Sequence, residues 1–412
     1  MTTTGPTPGP TPRSTTASRR SSRRLLVQAQ LANSIGDGAY LVTSALYFAR
    51  IVGLSATEIG LGLTLGWAVG TVAGVPLGHL ADRRGPRGVA VLLALSTAVA
   101  VMSFLFVRSF ALFVLAACLY GTAQTGLSAA RQALLAGLIE PGKRTEVRAV
   151  LQSTINGGLA MGATLGGFAL HVDSREAYLT VFAVDAVSFL VAALLLLRLP
   201  AVAPVPAAGP KLAVLRDRPY AVITLINAVM LFYMPLLSLI VPLWIVQRTT
   251  APTWLVSALL LVNTVSVLLF QVRIARRVRG LADASRSVRY AGLVMLAACA
   301  VFAMSAIGSS AWLAGLILLA AAGLQAYGEM LLGAGAWEIG FTLAPADKQG
   351  QYQGFFGTGM AVARMLGPVV LTTLVIGGGT LGWLLVGGLF VAAGAAMTPA
   401  VSWATRNRYG LT

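Results

Sequence analysis

Asp37 and Glu329 each sit deep inside a long apolar run. A charged side chain at the centre of a bilayer costs about 2.5–3.5 kcal/mol on insertion scales, so acids in such places mark ion or substrate pathways. An acid held there can load a proton from one side and release it on the other. Arg364, also in mid-run, is the counter-charge that could reset one of them. The competing reading is a permanent buried ion pair that only fixes helix packing. For Asp185, in another apolar run, structural pairing is the better expectation.

Helical spacing groups polar residues around these acids. Asn33, Asp37, Tyr40, Ser44 and Tyr47 recur at offsets that place them on one helical face. Tyr120, Gln124, Ser128 and Arg131 form a similar stripe. Gln325 pairs with Glu329, and Asn227 with Ser238. Asn33, Tyr40, Gln124, Arg131, Asn227 and Gln325 are the candidates for a polar cavity lining. Trp67, Phe232, Tyr233, Met234, Met330 and Trp337 could supply apolar walls. A cavity of that kind suits lipophilic or amphipathic molecules better than sugar phosphates.

The elements that would position these residues are membrane-spanning helices. The chain has 412 residues, 57% hydrophobic and 10% charged. A soluble domain carries about 25% charged residues, and a span needs roughly 20 apolar residues. Twelve spans are expected near 25–49, 57–79, 88–107, 110–137, 148–170, 177–198, 219–246, 253–275, 288–306, 311–336, 353–376 and 380–401. Residues 1–24, rich in Thr, Ser, Pro and Arg, read as a disordered cytoplasmic tail and not as a signal peptide. The Pro-rich stretch Pro200–Pro210 cannot continue a helix. It divides the chain into a bundle over 25–199, a cytoplasmic linker over 200–218, a second bundle over 219–402 and a short tail over 403–412.

Charge placement tests this topology. With the N-terminus inside, twenty-four of the 30 Lys and Arg fall in inside segments and four outside. The positive-inside rule predicts such a bias, so both termini are expected to be cytoplasmic. The net charge of +17 is spread between apolar runs and forms no single face, which argues against nucleic acid as a partner. Cys118 and Cys299 lie in separate spans, and His79 and His171 in separate loops. No metal site or cofactor is expected. The chain shows no His-Glu-x-x-His and no comparable pairing of nucleophile with base, so an enzyme is not expected either.

Two motifs add mechanism. Gly78-His-Leu-Ala-Asp82-Arg83-Arg84-Gly85-Pro86-Arg87 is a short charged loop between two spans. It resembles the Gly-x-x-x-Asp-Arg-x-Gly-x-Arg pattern of the major facilitator superfamily at every fixed position. The resemblance implies two six-helix bundles, with Asp82 latching onto the start of the eleventh span, near Gln351–Gly354, and closing the cytoplasmic side. The corresponding stretch of the second half, Gln271–Gly280, keeps basic residues but lacks the Gly and the Asp, so one latch is expected. The second motif, Gly158-Leu-Ala-Met-Gly162-Ala163-Thr-Leu-Gly166-Gly167, is similar to the antiporter signature of that family, with Ala163 in place of Pro. In exporters that glycine face meets the eighth helix. The family's fourth-span Arg motif is not evident, because Arg131 comes later along the span.

The resulting expectation is an all-α membrane protein of twelve spans, resembling drug:proton antiporters. It would be a monomer in the plasma membrane, exporting lipophilic small molecules in exchange for protons. Uptake symport, lipid flipping in the same fold, or a membrane sensor without turnover are the alternatives.

Overall fold

A computed structural model describes residues 12–204, 211–307 and 310–409. It is almost entirely helical. The helices are α1 (Pro12–Tyr47), α2 (Ala56–Arg84), α3 (Pro86–Ser103), α4 (Phe110–Leu138), α5 (Pro141–Val172) and α6 (Arg175–Leu197). They continue as α7 (Arg218–Arg248), α8 (Leu255–Ala275), α9 (Gly280–Met304), α10 (Ala311–Leu343), α11 (Gln349–Leu371) and α12 (Gly378–Tyr409). Twelve long helices are therefore present among the described residues, matching the number of spans the sequence predicts.

Local chemistry sets the ends of these helices. Ser55 and Glu58 form a capping box at the start of α2, which satisfies orphan N–H groups reciprocally. Pro86, Pro141 and Pro219 sit in the first turns of α3, α5 and α7, where a missing N–H costs nothing. Gly85 turns the chain between α2 and α3 at φ 91°, a conformation that side-chain-bearing residues rarely adopt. α7 is irregular. A 3₁₀ turn at Leu231–Tyr233 and a π turn at Leu236–Ile240 flank Pro235, whose ring and missing N–H interrupt the regular ladder. α11 ends in a π turn over Thr372–Gly377 beyond Pro368.

One boundary differs from expectation. α1 starts at Pro12, so the described part of the expected tail, residues 12–24, is helical and not disordered; residues 1–11 lie outside the described residues. The stretch after Pro12 contains no breaker, Pro at a first helical position is well tolerated, and Arg and Ala are good helix formers. The guanidinium of Arg23 comes within 3.7 Å of Glu146 on α5.

Nine described stretches are long and apolar enough to cross a membrane, and one of them, Ala346–Arg408, takes in both α11 and α12. α1 and α5 fall short. Their apolar character is diluted by Asn33 and Asp37 in one and by Arg148, Gln152 and Asn156 in the other. These are the helices that bring polar side chains inside.

Each half has its own core. In α1–α6 it is an aromatic cluster of Phe48, Phe104, Phe113 and Phe182, with Phe48 and Phe113 ring centroids 4.6 Å apart. In α7–α12, Trp383 stacks on Phe302 at 5.0 Å and meets Trp244 edge-on. α2 packs on α11 and α5 on α8 across the halves. The hydrogen bonds, ion pairs and closest glycine contacts that cross the halves gather at one end, where α1 begins and α12 stops. We call this end the base and the opposite end the mouth.

Candidate functional site

Asp37 anchors a polar cluster built from α1, α4 and α11. Asn33, one turn earlier on α1, donates to Asp37 Oδ2 at 2.5 Å. Gln124 of α4 donates to Asp37 Oδ1 at 3.2 Å and to the Tyr120 hydroxyl at 3.0 Å. Arg131, further along α4, donates to Asn33 Oδ1 at 3.0 Å. The cations facing Asp37 are Arg131 and, from the opposite half, Arg364. Arg364 is exposed between the halves, its guanidinium 5.5 Å from the ring of Trp67 on α2. Trp67 in turn meets Tyr120 edge-on at 6.2 Å. The structure thus brings together Asn33, Asp37, Gln124, Arg131 and Arg364. Chemically, the cluster is a carboxylate with two amide donors and two cations, one of which belongs to the other half.

Glu329 stands apart in the second half. Asn263 of α8 donates to its Oε2 at 2.9 Å, and the Tyr233 hydroxyl of α7 bonds to it. No Lys or Arg forms an ion pair with it among the described residues. Gln325 and Asn227 are buried, and their Oε1 and Oδ1 atoms have no protein partner.

Three expectations need correction. Tyr40 does not line a cavity. Its ring packs among Phe104, Tyr120 and Phe182 at 5.4–6.0 Å, and its buried hydroxyl has at most a poorly aligned contact with Ser44, one turn on. The α1 stripe shares a face, but that face turns from the polar cluster into the aromatic core along its length. Asp185 is not structurally paired. It is fully buried with Oδ2 unpartnered, and the charge facing it is the like charge of Asp37. The glycine run of α5 does not meet α8. A Cβ on Gly158 would fall 2.6 Å from Ser34, one on Gly162 would fall 2.0 Å from the Ile35 carbonyl, and one on Gly166 would fall 2.9 Å from the Ala39 carbonyl. The run is therefore the bed for α1, while Gly167 faces open space. α5 reaches α8 through other residues, Ser153 against the Val267 carbonyl at 3.4 Å and Gly157 against Leu268.

At the base, Asp82 receives the N–H groups of Gly350 at 2.6 Å and Gln351 at 2.9 Å. These are among the free N–H groups of the first turn of α11, where backbone donors and the helix dipole both favour an anion. The approach requires glycine, because a Cβ on Gly78 would lie 2.2 Å from the Gly350 carbonyl. Arg87 braces the turn by donating to the Leu199 carbonyl at 2.8 Å. Arg83 is exposed and makes no hydrogen bond or ion pair among the described residues.

A second carboxylate crosses the halves here, where sequence symmetry predicts none. Glu338 of α10 accepts from the Thr145 hydroxyl at the start of α5. It also accepts from the Gly280 N–H at the start of α9, at 3.2 Å, and from Thr342 at 3.3 Å. Beside it, Arg276 pairs with Glu146 at 2.9 Å, and the Arg148 guanidinium lies 4.9 Å from the Trp337 ring. The loop after α8, which corresponds to the Gly78–Arg87 turn, carries no acid between Gln271 and Gly280. The acid comes from α10, nine residues beyond Glu329, and a second acid on a helix this poor in charge is the signal that could have found it.

The family model described as Major Facilitator Superfamily matches residues 26–368. No curated protein matches the chain. Among solved structures, a bacterial homologue of the iron transporter ferroportin in an outward-facing state is similar with a TM-score of 0.75 and 15% identity, covering 93% of this chain and 99% of that one. The human organic anion transporter MFSD10 is similar at 0.68 and 18%, covering 92% and 99%. The E. coli fucose:proton symporter is similar at 0.68 and 13%, covering 92% and 98%. At these identities the likeness is one of fold.

Proposed function

The chain belongs to the major facilitator superfamily of secondary transporters, and from that premise we propose that it exports lipophilic small molecules in exchange for protons. It would act as a monomer in the plasma membrane, with both termini cytoplasmic, so that the base is the cytoplasmic face. The positive-inside charge distribution supports that orientation. The observation that carries the proposal is Asp37. It is an acid at mid-depth whose partners are shared between the halves: Asn33 and Gln124 on its own side, and the field of Arg364 from the other. When the halves rock about the central site, Arg364 moves with its half and Asp37 does not. The counter-charge on Asp37 therefore differs between the two states, and protonation biases one over the other. Glu329, held by Asn263 and Tyr233, is the second candidate for proton loading.

The resemblance to drug:proton antiporters and the half-buried Trp67 ring between the halves support lipophilic cargo. Reconstitution in liposomes with an imposed pH gradient tests the proposal. Outward movement of lipophilic compounds against proton entry, abolished by Asp37→Asn or Glu329→Gln, is the expected result. Inward accumulation would assign uptake instead, and exchange indifferent to pH would reject proton coupling.

A further inference from the structure

The charged groups inside the bundle are held unequally. Asp185 is sealed within the first half, and Glu329 is held by neutral donors. Arg131 is engaged through Asn33 with Asp37. That leaves Arg364 and Arg148. Arg364 faces Asp37 across the halves, but neither arginine forms an ion pair with a carboxylate among the described residues. Each lies instead over a tryptophan ring supplied by the opposite half, Arg364 over Trp67 and Arg148 over Trp337. A ring covers one face of a guanidinium and leaves its edge donors free. Arg148 uses one of these donors on Gln152 Oε1 at 3.3 Å; Arg364 makes no hydrogen bond among the described residues. Guanidinium donors without acceptors at membrane depth are costly, and the group that best satisfies the free fork is a planar or tetrahedral oxyanion bound through two parallel N–H···O bonds.

We propose that the substrate is a lipophilic organic anion, a carboxylate or sulfonate carried on an aromatic or aliphatic body. Its charged group binds the free edge of Arg364, and its apolar body lies against Trp67. Arg148 over Trp337 is a second cation, nearer the base. This deepens the transport reading and rests on it for the central site, but not on proton coupling.

The test is equilibrium binding to the purified full chain in nanodiscs, without any gradient. The probes share one apolar body: a naphthalenesulfonate, the matching naphthylmethylammonium and the matching naphthylmethanol. The sulfonate is expected to bind saturably and at least about tenfold more tightly than the other two, as charge-assisted bidentate pairing implies. Arg364→Gln should remove that preference. Arg364→Lys, which keeps the charge but loses the fork, should retain part of it, and this variant serves if the glutamine protein does not fold. Trp67→Leu should weaken all three probes. Equal or tighter binding of the ammonium, or sulfonate affinity unchanged in Arg364→Gln, overturns the proposal. Sulfonate binding in a protein that shows no pH-driven movement would reject proton exchange and leave the anion site standing. Proton-driven transport of cations alone would do the reverse.

Discussion

Replacing Asp82 by Asn should shift the protein toward the state that is open at the base. The carboxylate accepts two N–H groups at 2.6 and 2.9 Å from the first turn of α11 and is nearly inaccessible to solvent. Hydrogen bonds to a charged group contribute about 1.5–3 kcal/mol each, against about 1 kcal/mol for a neutral one. The dipole at a helix start adds about 0.3–1 kcal/mol for an anion. An Asn side chain keeps one neutral bond from its carbonyl, and its NH₂ turns toward backbone donors. The closed base should therefore lose at least about 2 kcal/mol, which is about 30-fold or more in the closed-to-open ratio at tenfold per 1.4 kcal/mol. Spin labels at Gly142 and Arg277, exposed on opposite halves at the base, would report that ratio by pulsed electron resonance in a Cys118→Ala, Cys299→Ala background. A longer-distance population should grow in Asp82→Asn and grow further in Asp82→Ala. If both variants keep the wild-type distance distribution, the contact does not hold the halves together, and the latch reasoning fails.

Other consequences follow from the same geometry. Glu338→Gln should open the base by a similar amount, and its effect should add to that of Asp82→Asn in the same label experiment, because the two carboxylates share no partner. Gly162→Ala should lower thermal stability markedly, since its Cβ would lie 2.0 Å from a backbone carbonyl and overpacking costs about 1–3 kcal/mol. Gly167→Ala, facing open space, should melt within about 0.5 kcal/mol of the wild type; equal losses would refute the assignment of the α5 glycines to packing on α1. Tyr40→Phe should leave stability unchanged or raise it, because the buried hydroxyl has at most a poorly aligned contact with Ser44. A clear loss of stability would show that the hydroxyl is satisfied in the native protein.

The sequence alone determined the number of spans, the division into two halves and the contact of the Gly78–Arg87 loop with the start of α11. Apolar length, punctuating charge and a dense local motif are properties of contiguous residues, so they survive without any knowledge of packing. It also singled out Asp37, Gln124, Arg131 and Arg364 as polar residues out of place in hydrocarbon. The tertiary structure alone decided what they meet. Helical periodicity shows that Asn33, Asp37, Tyr40 and Tyr47 share a stripe. It does not show that the stripe passes from a polar cluster into an aromatic core, because helix tilt and neighbour choice set that. Spacing reveals the small-residue face of α5 but not its occupant, since α1 and α8 both offer apolar surfaces at that depth. The Glu338–Thr145 contact joins residues 193 apart, and the two tryptophans over arginines come from opposite halves. Such pairings depend on how two bundles are rotated against each other, and no single stretch of chain carries that angle.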